Sequence, residues 1–170
     1  MTINTAELQT LLDKQACNEV LTRYCRALDW LDEDALKTVF APDAAIDYGF
    51  FQGRGDEFIP LVMNIERGFL RRSHLGANAI IQVHGDTAEA ENYGIAAGVS
   101  LRDGRTVTDV FGGRYLDGLS RRDGQWWITR RVYVLDWQRS FESDAGAEAA
   151  MPGLVWSNGF NPEHPLYRKL

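Results

Sequence analysis

Chemistry in this chain is read first from its three histidines. His84 stands beside Gly85-Asp86, at the expected end of a hairpin, a solvated position. His164 lies between Glu163 and Pro165 in the tail. His74 opens the stretch Ser73-His74-Leu75-Gly76-Ala77-Asn78, and on a strand it shares one face with Gly76, Asn78 and Ile80. That face mixes polar and apolar groups, as a pocket wall does. A neutral imidazole becomes a directed base when one ring nitrogen is held by an acceptor. Asp29 is the candidate acceptor. It ends an apolar helix face between Leu28 and Trp30, where a lone carboxylate is costly unless paired. Two readings stand: a cap for the next helix, or a partner for His74 that fixes its tautomer. Such a dyad removes a proton next to a carbonyl or a leaving group. Tyr24, on the same helix as Asp29, offers a phenol to a leaving group or simply fills the helix core. Arg114 on an inward face would hold an oxyanion; the alternative is an ion pair with Asp109 or Asp136. Asn78 is a further polar candidate, for substrate binding.

These groups need elements to position them. Residues 5 to 29 read as a helix capped by Thr5, with Leu8, Leu11, Leu12, Ala16, Val20 and Tyr24 at helical spacing. A second helix is expected over 32–40, ended by Pro42. A strand follows over 44–49, then a turn at Gly53-Arg54-Gly55 and a third helix over 56–68. The character then changes. Residues 73–84, 87–102, 106–121 and 125–138 read as long strands. They are separated by Gly85-Asp86, Asp103-Gly104 and Asp123-Gly124, and Asp-Gly between strand-like runs signals a hairpin. Helices followed by an antiparallel meander argue α+β, with helices covering one face of a curved sheet. Residues 1–140 form the expected domain. The segment 141–170 reads as an irregular tail that drapes over the pocket or packs on a neighbouring subunit.

Composition narrows the function. The chain has 170 residues and a net charge of −6, which fits one domain and argues against nucleic-acid binding. The pairs Arg71-Arg72, Arg121-Arg122 and Arg130-Arg131 would each be split between two sheet faces. Cys17 and Cys25, about 12 Å apart by helical rise, are too far apart for a disulfide. Reduced thiols suit the cytoplasm. No apolar run is long enough for a membrane span, and the N-terminus lacks the features of a signal peptide. No metal-ligand spacing, phosphate loop or nucleophile elbow is present, so no cofactor is expected. Trp30, Phe51, Phe58, Phe111 and Tyr115 supply an apolar pocket lining. That abundance suits a flat or multi-ring substrate.

The pattern resembles the SnoaL-like, nuclear transport factor 2-like proteins, over roughly residues 8–139. Phe40-Ala41-Pro42-Asp43-Ala44-Ala45-Ile46-Asp47-Tyr48 follows Asp29 at a spacing shared with scytalone dehydratase. Ser73 to Asn78 is similar to the strand that carries the catalytic histidine there and in hexachlorocyclohexane dehydrochlorinase. Gly113-Arg114-Tyr115, followed by Arg121-Arg122-Asp123-Gly124-Gln125-Trp126-Trp127-Ile128, is similar to the closing hairpin of the family. The resemblance implies a cone-shaped α+β barrel of three N-terminal helices on a strongly curved, mostly antiparallel sheet. It implies an Asp29–His74 dyad, and for Tyr48 a part in polarising a carbonyl through water, the alternative being an ordinary strand aromatic. Leu28 stands where scytalone dehydratase has a second tyrosine, and no counterpart of that enzyme's second histidine is found, so scytalone is not expected as substrate. The expectation is a cofactor-independent lyase of dehydratase type, with retro-aldol cleavage and isomerisation as alternatives. A binding module, or the small subunit of a ring-hydroxylating dioxygenase, is the alternative of another class. A homodimer or homotrimer is expected.

Overall fold

The structure, a computed structural model, describes residues 4–143 and 153–170. Helix α1 (Thr5–Asp29) is capped by Asn4, whose side chain accepts from the Ala6 N–H, one residue before the expected Thr5. Cys17, Val20, Leu21, Tyr24 and Leu28 form its buried stripe, at the spacing of one helix face. Asp32 caps α2 (Glu33–Leu36), accepting from the Ala35 N–H at 2.9 Å.

Helix α2 is thus much shorter than the expected 32–40 span. Thr38 and Val39 are β-branched and disfavour helix. Phe40 is fully buried in the sheet as the first residue of β1 (Phe40–Asp47). Pro42 therefore lies inside a strand, where the register with the neighbouring strand shifts between Phe40 and Ala45; proline fits at such irregular pairing. The Gly53 turn is itself a short strand, β2 (Gln52–Arg54), which leads directly into α3 (Gly55–Arg67).

The four long strands follow in order: β3 (Arg71–His84), β4 (Thr87–Arg102), β5 (Arg105–Arg122) and β6 (Gln125–Ser143). Two of their turns use left-handed pairs, Asp103 (φ 51°) with Gly104 (φ 77°), and Asp123 (φ 51°) with Gly124 (φ 78°). This is the type I′ geometry that matches strand twist. The sheet order is β2-β1-β6-β5-β4-β3. Only the β1–β6 pairing is parallel. The sheet is open, with β2 and β3 at its edges, so the expected barrel does not close. Helix α1 lies against β3 and α3 against β1. The core they enclose includes Leu28, Phe40, Phe58, Met63, Leu119 and Ile128.

One charged pair sits inside this core. Arg131 and Asp117 are opposite each other on β6 and β5, each 1 % exposed. Two hydrogen bonds of 2.7 Å join guanidinium to carboxylate. The guanidinium also lies over the rings of Tyr24 and Tyr115, at 4.2 and 4.3 Å. The neighbouring Arg130 points to the other face, where it pairs with Glu89 at 2.9 Å. Strand alternation thus separates adjacent arginines into a core and a surface group.

The described part of the tail packs on its own chain. Phe160 stacks on Trp30 with centroids 4.2 Å apart, and Tyr167 meets the same indole edge-on at 5.4 Å. The Tyr167 hydroxyl donates to Asp32, and Arg26 donates to the Arg168 carbonyl. Arg71 reaches Asn158 at 3.0 Å. The junction 144–152 lies outside the described residues.

Candidate active site

The site begins where α1 ends. Asp29, the last residue of that helix, faces β3 at His74. Its Oδ1 is 2.8 Å from His74 Nδ1, and its Oδ2 accepts the His74 backbone N–H at 3.2 Å. The carboxylate therefore holds both ring and backbone of one residue. This arrangement places a proton on Nδ1 and turns Nε2 away from Asp29.

Nε2 does not look onto empty space. Glu66, in the last turn of α3, places Oε1 3.5 Å from it. Glu66 is 7 % exposed, and its Oε2 has no hydrogen-bond partner among the described residues. Arg72 Nε lies 3.9 Å from that oxygen, beyond hydrogen-bond reach. The Arg72 guanidinium instead donates to the Phe69 carbonyl at 2.7 Å and to the Asp29 carbonyl at 3.5 Å. Burial alone would push the His74 pKa down, but the Asp29 and Glu66 carboxylates, which accept from the ring and carry negative charge beside it, outweigh it and lift the pKa to about 9. A pKa at that level favours the imidazolium at neutral pH.

A cavity of about 170 Å³ is bordered by both His74 and Glu66. The phenols of Tyr24, Tyr48, Tyr115 and Tyr133 line it together with the apolar side chains of Val62, Ile65, Phe69 and Phe111. The Tyr24 and Tyr48 hydroxyls are 2.8 Å apart and share one hydrogen bond. Burial raises the pKa of both phenols, so each stays a donor at neutral pH. Gly94 makes room for the Tyr115 ring: a Cβ there would stand 2.6 Å from it. Phe50, at the tip of the β1–β2 turn, is 68 % exposed yet borders the same cavity.

Of the residues expected at the site, His74, Asp29, Tyr24, Tyr48, Phe111 and Tyr115 are gathered here. Phe58 is core, fully buried behind Tyr48 with ring centroids 4.7 Å apart, and Phe51 packs on Phe58 in turn. Neither lines the cavity. Trp30 faces the tail. Asn78 was expected on the His74 face. It instead adopts φ 55° at an irregularity between Ala77 and Ile80, which breaks the alternation and leaves it exposed.

Arg114 would hold an oxyanion only from an inward face. It alternates with Tyr115 and so lies on the outer face, bound to Asp136 at 3.1 and 3.0 Å and set over the Tyr93 ring. The ion-pair alternative describes it. Asp136 is exposed, and Asp109 pairs with Arg102 and Ser140 instead.

Glu66 was not anticipated, although its signal was present. Phe58, Ile59, Val62 and Met63 mark the buried face of α3, and Glu66 continues that stripe. A carboxylate on an apolar helix face needs a partner or a use. Arg131 escaped notice because strand alternation alone does not say which arginine of a pair turns inward. Among the described residues no cluster of His, Cys, Asp or Glu is arranged to hold a metal ion, and no helix is long and apolar enough to cross a membrane.

The SnoaL-like domain profile matches residues 9–132, so the chain belongs to the SnoaL-like family. No curated protein matches the sequence. Solved structures share its fold. A hexachlorocyclohexane dehydrochlorinase (type 2) aligns at TM-score 0.73 and 19 % identity, over 87 % of this chain and 99 % of that one. A Novosphingobium aromaticivorans protein described as a scytalone dehydratase aligns at 0.70 and 22 %, over 79 % and 91 %. A nuclear transport factor 2-like protein of Salmonella enterica aligns at 0.63 and 19 %, over 72 % and 92 %.

Proposed function

We propose that this protein is a cofactor-independent lyase acting on a hydrophobic, aromatic small molecule, with dehydration as its reaction. One arrangement supports this above all: the Asp29 carboxylate fixes His74 by ring and backbone, at 2.8 and 3.2 Å, beside an aromatic cavity. In its neutral form His74 carries its proton on Nδ1. Nε2 then takes a proton from a substrate carbon next to a carbonyl. The C–H electron pair forms a double bond as the bond to the neighbouring hydroxyl breaks; the C–H proton stays on Nε2, and the departing oxygen takes a proton from the site and leaves as water. The Tyr24–Tyr48 pair has the donor chemistry to hold the carbonyl oxygen as charge develops on it. The structural likeness to proteins named as dehydratase and dehydrochlorinase is consistent with this chemistry.

The apolar outer face of the sheet supports a further proposal, that the enzyme works as a homodimer or homotrimer. Leu75, Ile80, Ile95 and Trp137 stand on that face, each 43–69 % exposed, and such a surface calls for a partner.

The test is an ultraviolet scan of purified protein with aromatic β-hydroxy ketones and their β-halo counterparts, no cofactor added, beside His74→Ala. New conjugated absorbance with wild type alone is the expected result. Equal absorbance with the variant would overturn the assignment of His74. Loss of an aldehyde by mass would move the reaction to retro-aldol cleavage, where the same base takes a hydroxyl proton.

A further inference from the structure

Glu66 is the feature of the site that the dyad leaves unexplained. A buried carboxylate with a bare Oε2 stands against the nitrogen that has to act as base. Its Oε1, 3.5 Å from Nε2, lies in the direction a substrate proton must use. Resting on the lyase reading above, we propose that Glu66 is the general acid of the reaction: it takes the Nε2 proton of His74 when substrate binds and delivers it to the departing hydroxyl.

The proton accounting closes. In the resting site Glu66 is a carboxylate and His74 an imidazolium, with Nδ1–H to Asp29 and Nε2–H toward Glu66 Oε1. An aromatic substrate displaces water from a cavity walled by Val62, Ile65, Phe69 and Phe111. In a dry, apolar setting a neutral acid and a neutral imidazole are favoured over a charge pair that is not tightly hydrogen-bonded, and at 3.5 Å this pair is loose. Asp29 is bound at 2.8 Å and keeps its own proton contact, so the proton that moves is the one on Nε2. That transfer leaves His74 as the Nδ1–H tautomer with a free Nε2 lone pair. It leaves Glu66 as a carboxylic acid. Nε2 then removes the carbon-bound proton, the C=C bond forms, the C–O bond breaks, and the Glu66 proton goes to the leaving oxygen. The products are an unsaturated ketone and water. His74 is again an imidazolium and Glu66 again a carboxylate, so the cycle needs no proton from outside.

The surrounding charges suit this use. Asp29 from α1 and Arg72 from β3 are the other charged groups at the pair. The Tyr24, Tyr48, Tyr115 and Tyr133 phenols, which are donors, line the same cavity. Arg72 Nε, 3.9 Å from Oε2, keeps the carboxylate in place without blocking it by a hydrogen bond. The substrate class that follows is a β-hydroxy carbonyl compound, whose poor leaving group needs a proton. A β-halo analogue, whose halide leaves as an anion, needs only the base.

The experiment compares wild type with Glu66→Gln on a phenyl-bearing β-hydroxy ketone and its β-chloro counterpart. In parallel, His74 is titrated by NMR in both proteins without substrate. The amide cannot deliver a proton, so the chloro-to-hydroxy ratio of kcat/KM should rise by at least about 10², the lower range for one general acid. The His74 titration should move down in the variant, since one of its two carboxylates is gone. A merely structural role would cut both substrates alike and leave the ratio fixed, which would overturn the proposal. An unmoved His74 titration would overturn the proton pairing itself. Should wild type convert neither substrate, the lyase reading fails and this proposal with it, while the titration still decides whether Glu66 and His74 share a proton.

Discussion

Asp29 and His74 are joined twice, once through the imidazole and once through the backbone N–H, by the two oxygens of one carboxylate. The second contact matters because it sets where β3 starts relative to the end of α1. A change at Asp29 therefore acts on both tautomer and strand position.

The two members of the dyad are expected to fail differently. His74→Ala removes the base and should abolish turnover while far-ultraviolet circular dichroism stays unchanged. Asp29→Asn keeps a side chain of the same shape but supports the wrong tautomer, and should lower kcat by about 10²–10⁴. Steady-state rates of both variants on one substrate check this. Wild-type rates in Asp29→Asn would reduce Asp29 to a helix-end contact.

Stability should depend on pH through His74. Its folded pKa of about 9 lies above the unfolded value, which is about 6.5. The folded protein thus holds a proton that the unfolded chain releases. The contribution is complete below pH ~6.5 and is lost as pH rises through 9, by an amount on the order of 3 kcal/mol. Urea denaturation of wild type and His74→Gln between these limits checks it. The stability advantage of wild type over the variant should shrink with rising pH. A constant difference would show that the ring is not held as an imidazolium.

Arg131 should be among the most sensitive core positions. Arg131→Met leaves Asp117 as an unpaired buried charge and should cost about 3–5 kcal/mol. The double change with Asp117→Leu should recover most of that loss, because both charges are then gone. Chemical denaturation of the two variants at one pH tests the difference. An equal loss in both would place the effect in packing against Tyr24 and Tyr115 rather than in the charge.

Association is expected through the outer sheet face. Ile95→Glu sets a charge on a face that carries Leu75, Ile80 and Trp137. It should convert the oligomer to monomer in light scattering, with turnover as a check that the cavity on the other face is intact. An oligomer that persists would direct attention to another surface.

Much of this arrangement was legible in the sequence. Three Gly-containing turns and the long alternating runs between them were enough for the β3–β6 meander, because period-two patterning and turn chemistry are local. Helix α1 was legible for the same reason. Helix α2 was not, since Phe40 is drawn into the sheet by pairing with β6, a partner far away in sequence. The dyad was visible through its resemblance to a family pattern. Asn78 was placed by simple alternation, which failed because one left-handed residue resets the count. The face of Arg114 stayed open between an oxyanion and an ion pair, because the choice of face is tertiary. Glu66 shows the converse: its misfit on an apolar stripe was written in α3, but its partner sits on another element.

The stack of Phe160 on Trp30 has a consequence for how the protein is made. Trp30 directly follows the aspartate that holds His74, and its ring is covered by residues 160 and 167. During synthesis, helix α1 leaves the ribosome long before those residues do. The corner that carries Asp29 reaches its described packing only after about 130 further residues have emerged, by the numbering of Trp30 and Phe160. Catalytic competence is thus expected to arise late on the nascent chain, once the whole sheet has been laid down between the two aromatic partners.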